Sequence, residues 1–590
     1  MLLAGSGREL AAQLPEDTLP SDSIPADTVD YTARFLKAQA EEEVRLPVMP
    51  EMGVRGPRPP LTRIVFNRDS IEWGSAATVS DLLAQIPGVY LWRGGFTGRP
   101  EPVNFQGRGA TSAEYEVDGI PFVAAGVDSV GVDPALFSLS FLERIEVDRW
   151  PGLLRVHLYT RRHDRLSPRT RLGIARGDHE FARYEGDLER RFPVGIGFGL
   201  AADYLNSPTA SGASSAYSNN QFWAQGSYVP SGKFGIQYQL LRARPNRRAF
   251  TISGVTTQDT IGPAFKASRT DAQFRLSLRS REDGLGSGVD LVYARSAWDS
   301  KGIDQQINQL GGYASFRAPT VSLGASALHR SRWTSLDLRG TAGWTPLAAF
   351  TASAEAVHQS HDGNRKSDYV SLAAGLVPVA GLALTGTARL GKLVAAPAIL
   401  TDTSQKLRDF EATLGWDRAR FGARLGWGRT AAFSPFAYAE FPLVASLAPA
   451  PEVDWLTVAV RVAPLQWITL ESRFSDPRNG TVDGVPPTHS VSTATIRSKF
   501  LRKYRSGIFD LKLQLSMESW GRGIIGRDAT GAAINLRGAT FFGSLIEVQL
   551  QSFSLYWDRR NLTATKLTYV PGFRIPPYGS NFGVRWEFAN

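Results

Sequence analysis

Residues 508–517 read IFDLKLQLSM, in which Phe509, Leu511, Leu513, Leu515 and Met517 alternate with Ile508, Asp510, Lys512, Gln514 and Ser516. Side chains of an extended strand point to opposite faces at every step, so this stretch predicts a strand with one apolar and one polar face. The same rhythm recurs far upstream. Leu456, Val458, Val460 and Val462 alternate with Trp455, Thr457, Ala459 and Arg461, and Phe274, Leu276 and Leu278 alternate with Gln273, Arg275, Ser277 and Arg279. Period two persists from about residue 168 to 590, and about 22 strands can be counted in it. A soluble sandwich would alternate as well, so the connections must decide. Short turns are expected at 192–193, 230–233, 318–320, 379–381, 417–419, 463–466 and 551–552. Long loops are expected at 205–219, 246–269, 391–404, 429–452, 475–487, 520–533 and 561–580. Short and long connections taking strict turns are the rhythm of an antiparallel transmembrane β-barrel with an even strand count, both of its termini on the short-turn side. Trp298, Trp333, Trp427, Trp520 and Trp557 fall near strand ends, where an interfacial girdle is expected. A lumen of about 22 strands is wide enough to need a plug.

Composition agrees with this reading. The 590 residues are 43% hydrophobic and 11% aromatic with 57 glycines, yet no run of 18 apolar residues supplies a helical membrane span. The absence of Cys excludes disulfides, zinc–thiolate sites and a thiol nucleophile. The net charge of +10 comes from arginines spaced singly along extended segments, which suits a polar lumen or an anionic lipid surface. A stripe that tracks nucleic-acid phosphates would cluster them, so no nucleic-acid partner is expected. Residues 1–5 are too short for the apolar core of an export signal, although Leu10-Ala11-Ala12-Gln13 could be the tail of one, and a longer natural N-terminus is expected.

The front of the chain differs from the rest. Residues 1–60 are rich in Pro and acidic residues (GPRPP at 56–60) and read as a linker, with one short helix near 32–44. Residues 61–167 are mixed α+β and residues 168–590 form the barrel. In the middle region 63–67 is a short apolar strand. Thr78 stands as a helix N-cap with Asp81 completing a capping box, and Val79, Leu82, Leu83 and Ile86 have helical spacing before Pro87-Gly88 ends the helix. Asp118-Gly119, between two apolar runs, predicts a tight hairpin turn with its tip toward the external face, and Asp133-Pro134 opens a second short helix.

These residues resemble a known family. The segments ATVSDLLAQIPGV (77–89), VNFQGRG (103–109), YEVDGIP (115–121) and LERIEVDRWPG (142–152) are similar, in order, to the first helix, the basic Gly-containing strand, the Asp-Gly hairpin and the Ile-Glu-Val strand with its Pro-Gly turn of the TonB-dependent receptor plug. The C-terminal NFGVRWEF (581–588) resembles the barrel-assembly signal, carried by Asn581, Gly583, Trp586 and Phe588. The resemblance implies a mostly β protein of the bacterial outer membrane, a β-barrel with a small α+β plug domain inside the lumen. It implies as partners outer-membrane lipid, the barrel assembly machinery, an unknown small ligand and a TonB-type energy-transducing protein. For the last, the segment Asp27, Thr28, Val29, Asp30, Tyr31, Thr32, Ala33 is the TonB-box candidate, an extended stretch for a partner's sheet edge. The plug is abbreviated, since Gly152 runs almost directly into the strand 153–160.

No GxSxG, Walker or HExxH pattern occurs, so neither an enzyme nor a cofactor is expected. His358, His361 and Asp362 fall in an expected external loop, read as solvated rather than metal-binding. Glu185 and Asp187 share a strand face with Arg183 and Arg191, the charge pairing of a lumen wall. Candidate ligand contacts are Arg108 and Asp118 of the plug, Arg247 and Arg248 of a basic loop, and Phe436 and Tyr438 of the aromatic loop 431–441. Lumen arginines such as Arg275, Arg424 and Arg461 would favour an anionic ligand. Two readings of function stay open: energised uptake of a scarce ligand, and a structural or scaffold barrel whose plug seals the lumen and whose N-terminal segment binds a partner. A soluble all-β protein is a third.

Overall fold

The computed structural model describes residues 44–589 apart from 53–56, 75, 96–99, 208–216, 248–249, 252–259, 263, 502, 505–506, 574 and 576–577. The helix expected near 32–44, the TonB-box candidate and Arg248 therefore lie outside the described residues, apart from residue 44.

Among the described residues, twenty-two antiparallel strands close into one barrel, from Arg169–Gly177 to Gly579–Ala589, and the last strand pairs with the first from Asn581↔Gly177 to Ala589↔Arg169. The direction of the alternation settles its solvent. In Phe265–Arg279, Phe274 and Leu278 are 43% and 47% exposed while Arg275 and Ser277 are 2% and 0% exposed. A soluble sheet would bury its leucines; this one turns them outward strand after strand, as a lipid-facing wall requires.

Three expectations are corrected here. The connections do not alternate strictly in length: on one side of the barrel the external connections 301–302, 331–333 and 362–364 are as tight as turns, while 499–508 on the periplasmic side is ten residues long. His358 and His361 consequently lie in the strand Phe350–His361 and not in a loop. Three residues apart on a strand they face opposite ways, His358 outward to Asp368 (2.6 Å) and His361 inward to Thr334 (2.9 Å) and Ser367 (2.7 Å). Trp298 and Trp520 turn inward and are buried, so they are core residues; the outer girdle comprises Trp427 and Trp557 toward the external side and Trp344, Trp416 and Trp586 toward the periplasmic side.

The lumen holds a five-stranded sheet. Arg63–Phe66 lies at one edge, followed by Leu142–Trp150, Leu153–Thr160, Ala113–Val117 and Ile120–Pro121. Pro151-Gly152 joins the strands on either side directly, with Gly152 at φ +72°. The short helix Val79–Leu83 buries Val79, Leu82 and Leu83 against this sheet. Thr78 is its N-cap by position, but the capping box does not form: the Thr78 hydroxyl donates to Glu101 (2.9 Å) and Asp81 accepts from the Ala77 N–H (2.9 Å). A buried carboxylate across the plug outbids the helix end for that hydroxyl. A second helix, Arg68–Glu72, capped by Asn67, has no clear periodic signal in five residues.

Asp118 (φ +50°) and Gly119 (φ +87°) form the expected tight turn. Its tip does not reach the external apex. Gly119 accepts from the Tyr313 hydroxyl (3.4 Å) and packs on Met52, and the chain then climbs outward past Arg269, which donates to the Val123 carbonyl, to Gln305, which accepts from the Gly126 N–H. The apex is built by the following loop because the strand Ala113–Val117 runs parallel to Leu153–Thr160 and turns back at mid-height.

Two outcomes are expected. Replacing Trp586 and Phe588 (rings 4.5 Å apart on the closing strand) with Ser removes apolar lipid contacts, so heat-modifiable barrel at the cell surface should fall severalfold; unchanged surface levels would refute the assembly role. Gly119→Val would force a β-branched residue to positive φ, costing about 1–3 kcal/mol, with a Cβ only 2.8 Å from the Met52 methyl. Heat-modifiability should persist while large antibiotics leak through the loosened plug, and intact impermeability would show that the turn does not matter to the seal.

Candidate functional site

The plug is fastened to the wall by buried ion pairs. Arg108 meets Asp409 (2.7 Å), Arg149 meets Glu411 (2.8 Å), Arg155 grips both oxygens of Glu355 (3.0 and 2.8 Å), and Arg161 reaches Asp187. Asp187 also holds Arg171, and Arg183 holds Glu185 and Asp203, the pairing expected of a lumen wall. Removing one partner of such a pair strands a buried charge, so the contacts hold the plug in register more than they add net stability.

Above the plug, the external loops fold inward instead of leaving an open mouth. Loop 431–452, loop 478–488, the hairpin Gly523–Arg527 with Ala533–Leu536, and loop 561–578 form one apolar cluster with Tyr90 and Trp92 of the plug. The strand Val89–Leu91 and its continuation through Trp92 provide this surface because their aromatic side chains point away from the plug sheet. Polar contacts fix the fit. The Trp92 indole N–H and the Asn104 amide both donate to the Gly484 carbonyl (2.8 and 2.9 Å), the Ala110 N–H donates to the Phe436 carbonyl (2.9 Å), the Tyr438 hydroxyl donates to the Val103 carbonyl (2.6 Å) and the Tyr90 hydroxyl donates to the Tyr569 carbonyl (2.8 Å). Gly109 has φ +64°, and a Cβ there would lie 2.1 Å from the Phe436 carbonyl oxygen, so this approach needs glycine.

Beside the cluster lies a buried charge network. Arg93 binds Asp81 (2.8 Å) and Glu101 (3.0 Å), and Arg560 binds Asp81 (3.4 Å) and Asp558 (3.0 Å). Burial pushes the Asp81 carboxyl up, but Arg560 and Arg93 outweigh it and hold it at about 2; burial dominates at Glu101 and pushes it up to about 7.

The candidate ligand contacts divide by location. Arg108 is buried on Asp409 and over the Phe433 ring, and Asp118 is buried against Thr160 at mid-height. Phe436 is half-buried where its loop meets Gly109. Arg247 and Tyr438 come together at an apical cavity between the plug loops and the outer strand ends, with Asp128, Asp133, Glu440 and Trp298. Its volume, about 30 Å³, suffices for a water or two, so the apex is closed in this conformation. Arg275 and Arg461, read as lumen cations, are paired with Asp290 (2.9 Å) and Asp417 (2.7 Å). Sequence reading missed Tyr90, Trp92, Arg93 and Tyr569. The run GVYLWRGG (88–95) held the one available signal, three large apolar residues after a helix stop with too short a run to show a period.

Three carboxyls crowd this apex. Burial pushes Glu440 up to about 7, with Asp128 adding to the shift and Arg247 opposing it, and burial together with Glu440 raises Asp133 well above the usual range. A raised carboxyl favours the docked loop when protonated, so that contribution is complete below the free carboxyl's value of 4.5 and is lost as pH rises through about 7. The protection factors of loop 431–452, that is amide exchange corrected for the intrinsic rise in rate with pH, should therefore be higher at pH 5 than at pH 8, and Glu440→Gln should flatten the difference. Equal protection factors in the parent protein at both pH values would contradict the docking role of that proton.

Residues 58–154 match the family model described as the TonB-dependent receptor plug domain. Among solved structures, a mutant of the ferric enterobactin receptor PfeA of Pseudomonas aeruginosa is 13% identical with a TM-score of 0.70, covering 90% of this chain and 98% of that one. The FrpB iron transporter of Neisseria meningitidis (10%, TM-score 0.68, 90% and 100%) and the siderophore receptor PirA of Acinetobacter baumannii (11%, TM-score 0.67, 90% and 98%) share the fold as well. The plug match lies inside a closed 22-stranded barrel whose outer wall is apolar, the fold shared with those receptors. Residues 58–154 are thus a TonB-dependent receptor plug domain by their family match, and the chain as a whole has the fold of those plugged-barrel receptors.

Proposed function

We propose that the protein imports a scarce ligand across the outer membrane, driven by a TonB-type protein that pulls on the segment before the plug. The observation that carries this reading is the closed apex: three loop regions are seated on the plug by hydrogen bonds to its backbone and aromatic side chains, and the hairpin Gly523–Arg527 with Ala533–Leu536 packs onto them, so ligand entry and plug state are mechanically linked. A barrel that merely sealed the membrane would not need loop residues such as Phe436 and Tyr438 bonded to the strand and turn of 103–110. Phe436, Tyr438 and Arg247 are the proposed external contacts, with Arg248 beside them in sequence; Arg108 and Asp118 act from beneath by holding the plug in place. The boundaries 1–60, 61–167 and 168–590 are the proposed division into pulled linker, plug and barrel. No chemistry on a substrate is proposed, because the plug match and the fold are those of transport receptors. Ferric siderophores, the ligands named for the neighbouring receptors, are the first set to test.

Uptake of the identified ligand should depend on the proton-motive force and fall at least tenfold on deletion of residues 27–33, while surface levels stay unchanged. Uptake that survives the deletion would overturn the energised reading in favour of the scaffold barrel.

A further inference from the structure

One side of the lumen is not filled. Between the plug helices Arg68–Glu72 and Val79–Leu83 and the wall from Ile468–Pro477 to Phe553–Arg560 lies a cavity of about 730 Å³. Gln466, Trp467, Ser498 and Lys499 line its lower end, at the periplasmic turns, and Phe541, Asn561 and Tyr569 line its upper end. The stretch from Lys512 to Glu518 alone lines about 20 Å of strand at ~3.4 Å per residue, which at the usual tilt of about 40° is roughly 15 Å of the barrel's height. Its wall is mixed: Thr469, Thr493, Thr495, Gln514 and Ser516 present hydroxyl and amide groups beside Trp73, Val491, Phe541 and Leu545. Its charges are compensated, Arg473 by Glu471 (3.1 Å) and Arg497 by Asp510 (2.8 Å), while Lys512 donates to the Trp73 carbonyl (2.9 Å).

The upper end is closed by a thin aromatic roof. Tyr569 lies 5.2 Å from Phe541 and 4.8 Å from Trp520, Tyr90 packs edge-on to Trp520 (5.6 Å), and Arg93 sits over the Tyr569 ring (5.5 Å). Two hydroxyl bonds tie the roof together, Tyr569 to Glu518 (2.6 Å) and Tyr90 to the Tyr569 carbonyl.

We propose that this duct is the route of the imported solute, already formed beside the seated plug, and that the Tyr90–Trp520–Phe541–Tyr569 roof is its gate. The proposal rests on the import reading above but adds that the body of the plug need not leave the barrel. Passage requires that residues 561–573 lift Tyr569 off Tyr90 and Phe541 and that Phe573 part from Phe441 of the loop above (4.7 Å). The mixed wall, with Arg473 and Arg497 paired, suits an amphipathic solute of low net charge, one that can bond the Thr, Gln and Ser groups and rest its apolar surface on Trp73, Val491 and Leu545.

The natural absence of Cys makes the test clean. Single cysteines at Thr495 and Ser516 in the duct, and at Ser371 in the packed opposite wall (2% exposed), are treated with a membrane-impermeant thiol reagent from either face of oriented outer-membrane vesicles. From the periplasmic face the duct positions should react at least tenfold faster than Ser371→Cys. From the external face they should be protected until Tyr569→Ala, or the gentler Tyr569→Phe that removes only the bond to Glu518, speeds their labelling. Heat-modifiability certifies that each variant is folded. Slow periplasmic labelling at Thr495→Cys and Ser516→Cys would overturn the duct, and external labelling unmoved by both Tyr569 variants in folded barrels would overturn the gate. Labelling needs no energy source, so duct and gate can fail while ligand uptake stands, and the reverse.

Discussion

Inside a lipid bilayer no water is available to satisfy a backbone N–H or C=O, and the rest of this structure depends on that constraint. An open sheet would leave two unpaired edges in hydrocarbon. The pairing of Gly579–Ala589 with Arg169–Gly177 removes both, and the residues that achieve it lie some four hundred positions apart in the chain. Once the sheet is closed, everything else follows from which face meets which solvent. The outer face must carry Leu, Val, Phe and Trp, and the inner face then carries the charged half of the alternation.

That inner face creates a second problem. A wall bearing Asp187, Glu355, Asp409 and Glu411 is costly to bury unless each carboxylate meets a cation, and the plug supplies Arg161, Arg155, Arg108 and Arg149 at those places. The plug is thus positioned by charge complementarity at several places around the lumen, Arg560–Asp81 included. Along residues 468–498 the wall pairs Arg473 and Arg497 with its own carboxylates and the plug stands off, which leaves the space beneath the aromatic roof. Close fit and open duct have the same origin, the distribution of arginines between plug and wall.

The external loops complete the closure by apolar burial in place of ion pairing. Trp92, Tyr438 and Phe441 pack with ring centroids 5.0–5.5 Å apart, and the loop backbone caps plug donors such as the Ala110 N–H. Contacts of this kind are broken more readily than a buried guanidinium–carboxylate pair, because an aromatic ring that lifts away strands no charge. The molecule therefore has a firmly held plug under a more readily lifted cover.

Much of this architecture was legible in the chain. Period-two alternation at 273–279, 455–462 and 508–517 determined the strands, their faces and their approximate number, because a strand's side chains alternate whatever surrounds it. The Asp-Gly turn at 118–119 and the helix after Thr78 were equally local matters of backbone preference. What escaped were facts of distance. That Trp298 and Trp520 point inward, that the Asp118-Gly119 tip stops at mid-height, that Thr78 bonds to Glu101 and not to its own helix, and that Tyr90 meets Tyr569 all depend on which residues the closed barrel brings together. Local sequence determined which face of each strand is apolar; only closure of the barrel decided which residues meet across the lumen, because partners hundreds of positions apart leave no periodic mark on either segment.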